Sequence, residues 1–152
     1  MTIASNQQGY RLLSIVRGDE DDLERRCIPI TAALVVVKCG DKFLLGFNRS
    51  RNQWEAPAGR IEDGETAREC ATRELHEEAC QIANELRFEC LAEMIRPTGE
   101  WKFTAVYSTP LRELAEFCEN SEWVQITLWN SSCFIGDIDE VDLAILRSVA
   151  GD

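Results

Sequence analysis

The stretch GRIEDGETARECATRELHEEACQI, residues 59–82, packs seven acids and three arginines into one segment. Thr66 and Glu69 have the Ser/Thr-x-x-Glu spacing of a capping box, which predicts a helix that starts at 66. Wound at about 100° per residue, Ala67, Ala71, Glu74 and Glu78 fall within a narrow arc, with Cys70 and Glu77 along one edge and Leu75 on the other. Thr72, His76 and Glu69 lie opposite. The glutamates therefore stand beside small apolar residues, on adjoining turns where an i,i+4 like-charge pair costs roughly 0.2–0.5 kcal/mol. A solvated charged face is the plain alternative. A hard cation such as Mg²⁺ would turn that repulsion into affinity, since it takes carboxylate oxygens and keeps positions for water and substrate phosphate.

Working outward, ITAALVVV from Ile30 is a β-branched run suited to a buried strand, CGD at 39–41 is a turn and KFLLGF from Lys42 is a second strand, so these read as a hairpin. Upstream, YRLLSIVR at 10–17 reads as an edge strand and DLERRC at 22–27 as a short helical turn, with the acidic run GDEDD between them. Residues 48–64 read as a loop rich in Asn, Arg, Pro and Gly. Downstream, LRFECLAEMI, WKFTAVYST and VQITLW read as strands. DIDEVDLAILRSV, 137–149, reads as an amphipathic closing helix with Asp137 and Glu140 as a second capping box. The mixture predicts an α/β domain in which helices flank a largely antiparallel or mixed sheet.

At 152 residues and 45% hydrophobic content, the chain suits a single domain, residues 1–152, with 1–28 as an N-terminal extension. A net charge of −11 argues against a nucleic-acid polymer or an anionic membrane surface as the main partner, because both need a basic footprint. Seven cysteines form no CxxC pair and sit in apolar or helical patterns, so they read as buried, reduced thiols of a cytoplasmic protein. No apolar run reaches signal-peptide or membrane-span length, and no EF-hand loop occurs.

The spacing is more specific than the charge. Gly59, five residues, Glu65, seven residues, then Arg73-Glu74-Leu75-x-Glu77-Glu78 resembles the signature of the Nudix hydrolases, G-x5-E-x7-R-E-U-x-E-E-x-G-U, with U aliphatic. The order of strands, loop and closing helix is also similar to that family's α/β/α sandwich. The resemblance implies a hydrolase that cleaves the pyrophosphate of a nucleoside diphosphate linked to another moiety, with Mg²⁺ or Mn²⁺ as cofactor and a small nucleotide as partner. It implies Glu74, Glu77 and Glu78 as metal ligands together with the Ala58 carbonyl, and one of these acids or a later loop acid as general base. Arg73 would hold the acidic cluster in place, and Glu65 the loop–helix junction. Glu119, in CENSE, occupies a region where the family often places a further metal or catalytic acid.

Two positions depart from the signature: Cys80 stands for the glycine that ends the helix in a left-handed conformation, and Gln81 for the last aliphatic residue, with Ile82 able to serve one place later. Pro-Ala-Gly at 57–59, and Pro97 sixteen residues after the signature, resemble the ADP-ribose and nucleotide-sugar branch. Arg49 and Arg51 are candidates for bidentate contact with a diphosphate, and Trp54 for stacking on a base or packing beneath the loop. An enzyme that cleanses oxidised nucleoside triphosphates and a catalytically silent nucleotide-binding regulator are the alternatives. The oligomeric state stays open, a homodimer included.

Overall fold

The computed structural model describes residues 1–151. The order along the chain is β1 (Ala4–Ser5), β2 (Arg11–Val16), α1 (Glu20–Arg25), β3 (Ile30–Cys39), β4 (Lys42–Asn48), β5 (Gln53–Glu55), β6 (Ala58–Arg60), α2 (Ala67–Ala79), β7 (Arg87–Ile95), β8 (Trp101–Pro110), β9 (Trp123–Trp129) and α3 (Glu140–Ala150). The sheet runs β1-β2-β7-β8-β3-β4-β5, with β6 paired to β3 and β9 to β4. The pairing of β3 with β8 is parallel and the remaining strand pairs are antiparallel. The sheet is thus mixed, with α2 and α3 on its two faces.

Strand β3 explains the layering. Its unbroken apolar run is buried on both sides, as expected of a strand covered on each face. Ala33, Val35 and Val37 join Cys70, Ala71, Leu75 and Ala79 of α2. Leu34 and Val36, pointing the other way, join Val141, Ile145 and Leu146 of α3. Burying Leu75 completely contributes roughly 1.5–3 kcal/mol, enough to fix which face of α2 turns inward. On the α2 side, Glu20 at the start of α1 accepts hydrogen bonds from Arg68 and from the Tyr107 hydroxyl. Among the described residues no helix is long and apolar enough to cross a membrane.

Several expectations need correction. The β3–β4 hairpin pairs only at its tip, Lys38 with Phe43 and Cys39 with Lys42; beyond that the strands part, β3 toward β6 and β4 toward β9 and β5. The 48–64 segment is therefore not simply loop, because it carries two short strands that wedge into this opening. Strand β2 is not at the edge; β1 pairs outside it. Helix α3 is capped by Asp139, whose Oδ1 accepts from the N–H groups of Val141 and Asp142, and not by Asp137. Residues 137–139 bridge to Trp54, the Asp137 carbonyl accepting from the Trp54 N–H and the Asp139 N–H donating to the Trp54 carbonyl, so the helix starts only after Asp139.

Gly46 of β4 lies under the fully buried Trp123 ring, and a Cβ there would meet Cε3 at 1.8 Å. Gly46→Ala is expected to cost about 3 kcal/mol through overpacking. The check is chemical denaturation, where the midpoint should fall with an unchanged slope. An unmoved midpoint would mean that Trp123 can be displaced freely.

Candidate active site

Local sequence builds the site first. Thr66 Oγ1 accepts from the Glu69 N–H at 3.0 Å and Glu69 Oε1 accepts from the Thr66 N–H at 2.9 Å, so the predicted capping box sets where α2 begins. The helix then lies against β6, where a Cβ on Gly59 would fall 2.1 Å from Cδ of Glu74. Only glycine at 59 leaves room for that carboxyl. The spacing from Gly59 to Glu74 is thus a packing requirement between strand and helix.

Arg73 organises the acids. Its Nε and Nη2 donate to the two oxygens of Glu65 at 2.7 and 3.0 Å, its Nη1 to Glu74 at 2.8 Å and to Glu77 at 3.1 Å, and its Nη2 also to the Arg60 carbonyl at 2.9 Å. The guanidinium offsets the repulsion that the helix pattern implied. Its hydrogen bonds, with one from the Glu62 N–H, hold the Glu65 carboxyl down to about 2. Burial pushes the Glu74 carboxyl above its ordinary value, against the pull of Arg73.

Glu78 is 6% exposed and its Oε1 accepts from the Ala58 N–H at 2.8 Å. Burial first, and the adjacent Glu122 carboxyl second, push it up to about 10. Glu122 arrives from the segment that crosses the end of α2. There Asn120 donates to the Glu78 and Glu77 carbonyls at 2.9 and 3.2 Å, and accepts from the Glu122 and Trp123 N–H groups. Asn120 both caps the helix and aims the loop.

Glu78, Ala58, Gly59 and Arg60 share a cleft of about 940 Å³ with residues of β3, β5, β7, β8 and α3 and with the segment before β2. Its apolar lining includes Ala32, Leu34 and Met94; its cations are Arg51, Arg60, Arg96 and Lys102. Burial, then Arg96, lowers the Lys102 ammonium, which sits 4.9 Å from the centre of the Tyr10 ring. Asp142 accepts from the Ala56 N–H at 3.0 Å, and burial, then Asp139, holds its carboxyl well above the usual range. The buried Thr104 hydroxyl lines the cleft without a hydrogen-bond partner among the described residues. The volume and mixed lining suit a ligand of mononucleotide size.

A family profile described as the NUDIX domain matches residues 29–132. The chain belongs to the Nudix family. It is a Nudix hydrolase, a pyrophosphohydrolase in general class. An RNA pyrophosphohydrolase of Francisella tularensis subsp. mediasiatica (strain FSC147) is 26% identical over 112 residues, 72% of this chain and 68% of that protein. A Bacillus subtilis pyrophosphohydrolase superposes with a TM-score of 0.75 at 16% identity, covering 97% of this chain and 94% of the other. The NUDIX domain of Shewanella oneidensis NrtR, complexed with ADP ribose, superposes with a TM-score of 0.67 at 16% identity over 88% and 98% of the two chains. Likeness at these identities speaks for the α/β/α fold. Nudix hydrolases generally use divalent metal ions.

Against the Nudix signature, the structure gathers Glu65, Arg73, Glu74 and Glu77 into one network and sets Glu78 beside Ala58. In this conformation the three signature glutamates do not face a common point, and among the described residues no three acidic, cysteine or histidine side chains form a ready ion cage. Arg51 lines the cleft, with Nε donating to Glu55 at 2.8 Å. Arg49 does not; it is 60% exposed and pairs with Glu119. Glu119 is likewise turned to solvent, and it is Glu122, three residues on, that meets Glu78. Trp54 is 7% exposed, edge-on to Phe47, with Nε1 donating to the Ile135 carbonyl, so its ring packs in the core and offers no face to a base. His76 is exposed, as expected.

The departures from the signature are also resolved. Cys80 itself adopts the left-handed conformation, at φ 62° and ψ 26°. Gln81 is buried and bonds both polar groups of Ala115, whereas Ile82 is 66% exposed and does not take the aliphatic place. Sequence reading missed Glu122, Arg60, Arg96, Lys102, Thr104 and Asp142. Lys102 had one available signal, a lone cation within an apolar strand.

Because Glu65 is depressed below its unfolded value of about 4.3, it contributes stability that is present above that pH and lost as pH falls through about 2. Arg73→Gln is expected to melt lower than the parent at pH 7. The gap between the two melting temperatures should narrow steadily from pH 5 to pH 2. Thermal melts across that window check this; a constant gap would show that the Glu65 pairing adds no stability.

Proposed function

We propose that this Nudix hydrolase cleaves the pyrophosphate of a nucleoside diphosphate linked to another moiety, using Mg²⁺ or Mn²⁺ held by Glu74, Glu77, Glu78 and the Ala58 carbonyl. The observation that supports this reading is one cleft that joins the Glu78–Ala58 contact to four cationic side chains in a chain of net charge −11. The donor set fits a hard cation: every proposed ligand atom is oxygen, and Glu74 is seated in the space that only a glycine at 59 leaves. Such an ion, when bound, neutralises phosphate charge and lowers the pKa of water.

The remaining work falls to the chain itself. Arg73 fixes the position of Glu74 and Glu77 relative to the loop carrying Glu65. In this reading Glu122, which meets Glu78, takes the proton from the attacking water. Arg60, Arg96 and Lys102 orient the anhydride by charge and hydrogen bonding, which is most of what phosphoryl transfer asks of a protein. Ala32, Leu34 and Met94 give apolar area to a nucleoside. Seven free cysteines favour a reducing, cytoplasmic setting.

Within this class we favour ADP-ribose or a nucleotide sugar, supported by Pro97 and Arg96 lining the cleft beside Lys102. A second reading, the 5′-phosphates of an RNA, is favoured by the 26% identity to the Francisella RNA pyrophosphohydrolase. The intact set of signature acids weighs against a silent regulator.

A panel of ADP-ribose, nucleotide sugars, dinucleoside polyphosphates, oxidised nucleoside triphosphates and 5′-triphosphorylated RNA, with products identified, tests the assignment. Release of a nucleoside monophosphate from ADP-ribose is the expected result. Release of pyrophosphate from RNA alone establishes the second reading, and hydrolysis of triphosphates alone overturns both. Tight nucleotide binding without turnover would leave the regulator. Turnover should require the divalent ion, and Glu78→Gln should lower it by about 10²-fold or more while the melting temperature is kept; an unchanged rate refutes the metal-site assignment.

A further inference from the structure

Cysteine exposure differs from the sequence expectation. Only Cys70 and Cys90 are buried; Cys27, Cys118 and Cys133 are exposed, and Cys39 and Cys80 are partly covered. Two of these residues touch across 38 positions of chain. Cys80 ends α2 in the left-handed region, which L side chains rarely adopt, and its side chain reaches the backbone of Cys118. The Cys118 N–H donates to Cys80 Sγ at 3.2 Å, and the Cys80 thiol is 3.5 Å from the Cys118 carbonyl oxygen. One sulfur thus lies against the other residue's backbone. A disulfide needs Cα atoms within roughly 7 Å, and with ordinary bond lengths the 3.2 Å contact of Cys80 Sγ with the Cys118 nitrogen keeps the two Cα atoms to about that span.

The surroundings hold this pairing on both sides. Before Cys118, the Gln81 amide accepts from the Ala115 N–H at 2.8 Å and donates to the Ala115 carbonyl at 2.9 Å. After it, Asn120 donates to the carbonyls of Glu77 and Glu78. The segment is therefore docked on the helix exit in one register, with Cys118 open to a reagent and Cys80 behind it. Neither thiol has a part in the proposed hydrolysis.

We propose that Cys80 and Cys118 are a thiol–disulfide modification site that takes a hydroperoxide as oxidant. The Cys118 sulfur attacks the peroxide, the O–O bond breaks, and a sulfenic acid forms with release of one water or alcohol. Cys80 sulfur then attacks the sulfenic sulfur, the S–O bond breaks and a water leaves, so two thiols are oxidised to one disulfide while one peroxide is reduced. A dithiol reverses the bond by exchange. The bridge fastens residue 118, four positions before Glu122, to the residue two places after Glu78.

The test uses the full chain with Cys27, Cys39 and Cys133 replaced by serine, leaving the pair and the two buried thiols. It is treated with hydrogen peroxide, alkylated with a maleimide and mapped by peptide mass spectrometry. The expected product is a single peptide pair joining Cys80 to Cys118, with two fewer maleimides taken up than in the reduced protein and full reversal by dithiothreitol. Closing so long a loop should raise the melting temperature of the oxidised protein by roughly 5–10 °C. Added Cys80→Ser should abolish the pair and leave oxygenated Cys118 instead. The peptide map of the parent decides independently of that variant. Oxygenated Cys118 beside alkylated Cys80 in the parent, or linkage only between separate chains, overturns the proposal.

Discussion

The guanidinium of Arg73 sits where the loop of residues 61–65, strand β6 and helix α2 meet, and its donors reach a group on each. Without a cation at that point, Glu65, Glu74 and Glu77 would face one another across a small volume. A planar fork with five N–H donors can meet several oxygens at once, which a lysine ammonium on a flexible stem would do less well. The same bonds make the arrangement directional. Glu65 is bound through both oxygens, so the loop is oriented as well as attracted, and the acid face of α2 is held at a fixed height over β6.

The second constraint is steric. Gly59 and Glu74 share a space that holds one carboxyl and no methyl, and the helix can sit at that distance only because Ala71, Leu75 and Ala79 pack on alternate residues of β3. The charged and apolar stripes of α2 therefore support one another: burial of the small residues brings the acids to the strand, and Arg73 makes that approach tolerable. On the opposite face α3 closes a separate cluster. Its Asp139 cap bonds to Asn6 and Gln53, which draws the N-terminal segment to the mouth of the cleft.

What the sequence makes legible here is what depends on near neighbours. The Thr66 and Glu69 cap, the grouping of Arg73 with the acids, and the apolar runs of β3, β7 and β8 all follow from periodicity or short spacing. Choices settled by distant partners are not legible in the same way. Glu119 and Glu122 lie in one short acidic stretch, and nothing local distinguishes them; with Asn120 bonded to the end of α2, Glu119 meets Arg49 and Glu122 meets Glu78. Asp137 has the better capping spacing, yet the bridge to Trp54 engages residues 137 and 139 on either side of Ile138 and keeps that stretch out of the helix, so α3 starts only after Asp139. Trp54 fills a core position because Phe47 and the Ile135 carbonyl are brought to it by folding. The cations of the cleft come one at a time from strands whose patterns read as ordinary.

The cleft also divides by origin. The end around Glu78 is drawn from residues 58–78, a contiguous piece of chain, whereas Tyr10, the pair Met94 and Lys102 on β7 and β8, and Asp142 come from three regions far apart in sequence. Such a partition separates two kinds of hereditary change. A substitution in the outer wall therefore alters the cleft one residue at a time, whereas an insertion or deletion within 58–78 would shift Gly59, Arg73 and Glu74 against one another all at once.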